Sequence, residues 1–358
     1  MMNDELERGL SPPFIILHSS FIIRLTVDVV FLVRANQLNT PMLSRVADAL
    51  FWMSRYAERA EHVARMLEVN FHLELDLHGV VAGPHELQWL ALLEVLQLIP
   101  PTEEEDRPLA AVVSEKLTFD MSTSTSIMSC ITRSRNNARS IRGSISSDMW
   151  RELNKLYWQL NDPEFRVNAQ ESPHNLYHTV QIGSQLFQGV CDATLTHDEG
   201  WHFIQLGKHL ERAEKTLRIL DVRYRQLREL VEPAELSLAN LHWASVLKAC
   251  VAYQAYQRLY ISRVEPERVV EFLLFNPEFP HSVRFCLEAA ARALNDIGGD
   301  DTGRPGGRAG HVLGRAISEL EYADPDEVFA QGLPDFLAAT SQRCAQASVA
   351  VNRQYALV

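Results

Sequence analysis

The string Glu-Arg-Ala-Glu occurs twice in this chain, and its surroundings come with it. Residues 55–71 align without a gap on residues 208–224. Arg55 matches Lys208, Glu58-Arg59-Ala60-Glu61 matches Glu211-Arg212-Ala213-Glu214, and Arg65, Leu67, Glu68 and Val69 match Arg218, Leu220, Asp221 and Val222. Self-similarity at a fixed offset marks repeated structural units. Two copies this far apart suggest a duplicated helix or half-domain rather than a solenoid. The repeat constrains architecture more than chemistry.

At about 100° per residue both copies show a core stripe. In the first it is Val46, Leu50, Met53, Ala57, Ala60, Ala64, Leu67 and Phe71; in the second, Phe203, Leu206, Leu210, Ala213, Leu217, Leu220 and Tyr224. Glu58 and Glu211 point away from it, but their face is not purely polar. Phe51 and Ile204 flank it upstream, and Met66 and Ile219 downstream. A helix apolar on two sides belongs in an interior. The expectation is therefore two central helices, with Glu58, Arg59, Glu211 and Arg212 in a buried ion-pair network. Adjacent residues on a helix do not face each other, so each must find its partner elsewhere. Glu61 with Arg65, and Glu214 with Arg218, read as ordinary i,i+4 pairs worth ~0.2–0.5 kcal/mol each. The competing reading is a solvated charged face.

The rest of the chain after Met42 reads as helix. Ser44 is available to cap the first, and Gly79 and Gly83-Pro84 stop it. Further helices are expected near 85–98, 108–117, 124–141, 148–160 (capped by Ser147), 172–195, 198–230, 238–263, 266–275, 281–294, 311–320 and 325–356. The acidic 103–106 and the Gly-rich 298–308 read as a solvated loop and a flexible linker. The latter follows a helix and lacks the Lys-Ser/Thr of a phosphate loop. No strand series is visible. The fold class is all-α, a single multi-helix bundle with an internal repeat of the Glu-Arg helix.

The 358 residues are 46% hydrophobic with a net charge of -12, which argues against nucleic-acid binding and its need for a basic surface. The five cysteines are widely spaced without a Cys-x-x-Cys, as expected of free thiols in a reducing, cytoplasmic setting. The apolar stretch 14–33 is broken by His18, Arg24 and Asp28, a poor membrane span and, with acidic residues before it, a poor signal peptide. Residues 1–41 are rich in β-branched residues without helical period. We expect Met42 to be the natural start and 1–41 a non-native or disordered extension, leaving 42–358 as one helical domain.

Arg133, Arg135, Arg139 and Arg142 crowd one helix around Asn136-Asn137. They read either as an anion pocket, which the planar guanidinium suits, or as partners for the acidic excess. Glu199 and His202 have the Glu-x-x-His spacing of di-iron bundles but lack a second such pair, and Glu58 with His62 is a common i,i+4 coincidence. No metal centre and no cofactor are expected. Nucleophile motifs are absent, so catalytic residues are unassigned.

Several ordered motifs resemble one family. Met42-Leu43-Ser44-Arg45-Val46-Ala47 precedes Trp52-Met53, Arg55-Tyr56 and Glu58-Arg59-Ala60-Glu61. Asn137-Ala138-Arg139 with Arg142, Ser146 with Trp150 and Leu153-Asn154, Gly207 with Leu210-Glu211-Arg212-Ala213, and Phe279-Pro280 with Ser282-Val283 follow. From Met42 onward the chain resembles the bacterial alpha-E domain family, a helical domain of unknown function with a Glu-Arg motif. The resemblance implies work beside circularly permuted ATP-grasp proteins, with transglutaminase-like peptidases in the same gene neighbourhoods: an accessory or scaffold role in a peptide or amide ligation system. An alternative is an enzyme component using the motif residues as acid/base and anion-binding groups on a cleft where Arg59, Arg139, Arg142 and Arg212 converge; another is a peptide-binding carrier. The candidate site residues are Glu58, Arg59, Glu211, Arg212, Asn137, Arg139, Arg142, Trp150 and Asn154. One departure is His281, where the resemblance leads one to expect Arg.

Overall fold

The computed structural model describes residues 42–78, 86–101, 107–227, 233–261, 263–298 and 306–357. The extension 1–41, the stop at Gly79 and Gly83-Pro84, the acidic 103–106 and most of the Gly-rich run lie outside them. The described residues contain helices and no strand.

Two long helices carry the two Glu-Arg segments: α1 (Ser44–His78) and, as the eighth in chain order, α8 (Glu199–Leu227). Between them come α2 (Leu87–Val95), α3 (Leu109–Phe119), α4 (Ile127–Ser140), α5 (Ser147–Asn161), α6 (Pro163–Glu171) and α7 (Pro173–Thr194). After them come α9 (Pro233–Ala249), α10 (Tyr253–Leu259), α11 (Pro266–Phe275), α12 (Val283–Ile297), α13 (Gly307–Glu321), α14 (Pro325–Gln331) and α15 (Leu333–Gln354).

α1 and α8 pack against each other at the centre. α4, α7 and α9 cover α1, while α12 and α15 cover α8; α5 and α13 form outer layers. Both central helices are therefore buried on both faces. Phe51, Met53, Ala60 and Leu67 are fully buried, and so are Leu206, Leu210, Ala213 and Leu220. Val46 and Phe71, at the ends of the first stripe, are half-buried.

The central pair approaches closely at Gly207. A Cβ there would lie 2.4 Å from the Ser54 hydroxyl and 2.5 Å from the Phe51 carbonyl oxygen. Only a residue without a side chain fits a backbone-to-backbone crossing of this kind.

Several boundaries differ from the sequence reading. Asp162 accepts a hydrogen bond from the Phe165 amide at 3.0 Å, and Pro163 occupies the first helical turn, so α6 forms where no helix was expected. Proline stops one helix and starts the next, because its missing N–H is an orphan in a first turn anyway. The caps of α4 and α5 are Ser126 and Ser146, whose hydroxyls accept from the Ser129 and Met149 amides at 3.1 Å; Ser147 is already helical. The expected helix 238–263 is broken between α9 and α10, where Val251 takes a positive φ of 56°. Gly332, with φ 125°, divides the expected 325–356 into α14 and α15. Gly306 starts α13 from a left-handed conformation, so the helix begins inside the expected linker 298–308.

Candidate functional site

The Glu-Arg motifs meet where α1 and α8 cross, and they exchange partners. Arg212 grips Glu58 with two bonds, Nε to Oε1 at 2.6 Å and Nη2 to Oε2 at 3.0 Å. Arg59 grips Glu211 in the same way, Nε to Oε1 at 2.7 Å and Nη2 to Oε2 at 2.8 Å. Each Arg thus binds the Glu that sits in the other segment at the position of its own neighbour. Such forked pairs are the strongest geometry available to a carboxylate and guanidinium. Glu58 is 0% exposed and Glu211 1%.

Further side chains complete the network. Arg55 donates through Nε to Glu211 at 2.9 Å and through Nη2 to Glu214 at 2.7 Å. Ser348 of α15 donates to the other Glu214 oxygen at 2.6 Å. Gln188 of α7 donates to Glu58 Oε2 at 2.7 Å. The third nitrogen of Arg212 reaches the Pro280 carbonyl at 3.2 Å, and Thr216 donates to the His281 carbonyl at 3.0 Å. The segment leading into α12 is thereby tied to α8. Glu61 does pair with Arg65 on its own helix. Glu214 instead turns across to Arg55, because the close crossing offers it a buried partner.

Electrostatics follow from this wiring. Burial alone would raise the Glu58 carboxyl, but the Arg212 guanidinium with its two hydrogen bonds, and His62 Nε2 3.2 Å away, hold it well below the usual carboxylate range. Burial would likewise raise Glu211, and Arg59 and Arg55 outweigh it to push it down. Burial works to lower Arg59 and Arg212, yet their carboxylates raise both. Lys215, fully buried beside Glu211 and Arg59, is lowered to about 8, chiefly by burial.

The fold also gathers three side chains of metal-ligating type. Ligand atoms of Glu58, His62 and His281 lie within 4.8 Å of one another. Only the first two are neighbours in sequence, and His281 is remote in the chain. Glu58 is nevertheless heavily engaged: it accepts two bonds from Arg212 and one from Gln188, and His62 Nε2 lies 3.2 Å from Oε1. A guanidinium on the same carboxylate opposes a second cation there. The donor set fits an ion-pair hub better than a metal centre.

The second group of predicted residues lies on α4 and α5. Arg135 donates to Asn154 Oδ1 at 2.8 Å, with its guanidinium 4.2 Å from the Tyr157 ring centre and 5.5 Å from that of Trp150. Arg142 lies over Trp150 at 4.9 Å. Arg139 and Arg142 are exposed and Asn137 is half-buried. Tyr56 links the two groups, with Arg59 and Arg133 at 5.6 and 5.7 Å from its ring. Arg59 and Arg212 are spent on carboxylates while Arg142 rests on Trp150, so these arginines meet different partners. Sequence reasoning gave no site role to Arg55, His281, Gln188 or Ser348. Arg55 carried a signal, a base in both segments, and His281 stood out as a departure from the family pattern; Gln188 and Ser348 had none.

A family model described as a predicted alpha-helical domain with a conserved ER motif matches residues 42–356. The chain belongs to the Alpha-E family. The chain carries two Glu-Arg pairs, Glu58-Arg59 and Glu211-Arg212, which are the reciprocal pairs just described. Uncharacterized proteins of Mycobacterium bovis and Mycobacterium tuberculosis are each 24% identical to it over 304 residues. The match takes in 81% of this chain and 34% of theirs, so the chain spans about a third of the length of those relatives. No solved structure matches. No helix among the described residues is long and apolar enough to cross a membrane.

Proposed function

We propose that this Alpha-E domain is a non-catalytic helical scaffold that serves a circularly permuted ATP-grasp protein in a peptide or amide ligation system. The single observation behind the absence of chemistry is the saturation of the motif. Both forked carboxylates are already held by guanidinium groups and kept ionised, so neither is poised to donate or take a proton near neutral pH. The ATP-grasp partner, with transglutaminase-like peptidases nearby, rests on family resemblance. The mycobacterial relatives are consistent with a module that works beside other domains, since the matching region is only about a third of their length. The reading as an enzyme component has Lys215 in its favour, a buried amine lowered to about 8, but that amine is enclosed at the base of the same network.

The test is co-expression with an ATP-grasp protein encoded beside it, followed by ATP-dependent ligation assays with and without this chain. The expected result is a stable complex, no turnover by this chain alone, and ligation that depends on the complex. Full activity of the ATP-grasp protein alone together with no complex overturns the proposal.

A further inference from the structure

Two helices that pack together, α1 and α7, each carry a pair of metal-ligating side chains four residues apart. On α1 the pair is Glu68 and His72; on α7 it is His174 and His178. Residues at i and i+4 stand on one face of a helix, and two ligands so placed reach one ion. Either pair alone is ordinary. The fold sets one against the other.

His174 Nδ1 lies 2.6 Å from Glu68 Oε1, and Gln181 Nε2 donates to Glu68 Oε2 at 2.7 Å. The His72 and His174 ring centres are 5.9 Å apart, and those of His174 and His178 are 6.2 Å apart. Going from His72 to Glu68 on α1 thus runs alongside going from His174 to Gln181 on α7, so the helices are antiparallel here. His178 falls between His174 and Gln181 on the stripe that both share toward Glu68.

Two imidazoles on one tetrahedral zinc ion, at Zn–N of about 2.0–2.1 Å, hold their ring centres about 5 Å apart. The observed spacings exceed that by about 1 Å. All three histidines are exposed, and exposed side chains change rotamer readily, so small rotations close the difference. Glu68 also differs from Glu58. Its partners among the described residues are an imidazole and an amide, with no guanidinium to oppose a cation. Three imidazoles with one carboxylate suit zinc and its neighbours in the transition series; calcium and magnesium take oxygen ligands.

We propose that Glu68, His72, His174 and His178 bind one divalent transition-metal ion, zinc by ligand type, which clamps α1 to α7. The site stands ten residues along α1 from Glu58, about 15 Å at the helical rise. It does not depend on the scaffold reading.

Calorimetric titration of the full chain with zinc chloride tests it. The cysteines are all buried and do not compete. The expected result is saturable binding of one zinc per chain with a rise in Tm, and no binding of calcium or magnesium at the same concentrations. His72→Ala and His174→Ala remove one exposed ligand from each helix. Without zinc they should keep the Tm of the unaltered chain, and each should lose about ten-fold or more in zinc affinity. His311→Ala, an exposed histidine on α13, should leave zinc affinity unchanged. No zinc binding, an equal loss in His311→Ala, or full affinity in His72→Ala overturns the proposal; the last would mean a pair on α7 alone.

Discussion

Glu58 illustrates how a buried charge becomes structurally indispensable without being a source of net stability. Its carboxylate has Arg212 on both oxygens and Gln188 on one, at 0% exposure. Removing it strands the Arg212 guanidinium in the interior. Glu58→Ala should therefore cost about 3–5 kcal/mol, the usual penalty for breaking a buried pair from one side. The double change Glu58→Leu with Arg212→Met should recover most of that loss, because two apolar groups of similar volume leave no stranded charge. Urea unfolding of the single and double variants measures both; equal losses in the two would contradict this account. Glu211 follows the same logic with Arg59 and Arg55 as its partners.

Among the elements, the α1–α8 crossing sets the reach of these side chains. Gly207 allows it, since the atoms that would meet a Cβ include the Phe51 carbonyl, which is backbone and cannot swing away. Gly207→Ala should push the helices apart and lengthen every forked pair. The expected cost is about 1–3 kcal/mol, as for other overpacked cores, read as a lower midpoint in chemical unfolding. Ser126, whose hydroxyl caps α4, is a milder case. Ser126→Ala should cost about 1 kcal/mol, the ordinary worth of an N-cap. Helix type was legible from period, but breaks within helices were not. Val251 has no sequence feature that announces a left-handed residue, and it adopts one because the chain must turn between α9 and α10. Pro163 was legible as a stop; its second role, opening α6, needed the Asp162 cap to be seen in place.

For the whole molecule, the buried ionisable groups dictate a pH profile. His209 is 8% exposed and held well below its ordinary 6.5 by burial, then by Lys208 and Arg212. His242 is lowered to about 4. A histidine lowered in the folded state binds protons more readily when unfolded, so its contribution is present above pH 6.5 and is lost as pH falls below that value. Glu58 and Glu211, lowered from 4.5, contribute fully above that value and lose their contribution as pH drops through the acidic range. Stability should thus fall in two stages on acidification, the first below about 6.5 from histidine and the second below about 4.5 from glutamate. Denaturation midpoints from pH 8 to pH 3 test this, and His209→Gln should make the first stage shallower, with His242 and His281 still contributing to it, while leaving the second.

Sequence alone determined the helical class, the central place of the two Glu-Arg segments and the burial of Glu58, Glu211 and Arg212. These follow from local period and from a face too apolar for solvent, and both are properties of a single helix. Tertiary structure decided the pairing. Arg59 binds Glu211 rather than a neighbour on its own helix, Glu214 turns to Arg55 rather than Arg218, and Gln188, His281 and Ser348 enter from helices and a junction that carry no matching pattern. Ion pairs at close range are set by distances of a few ångströms between separate elements, and periodicity within one element does not contain those distances.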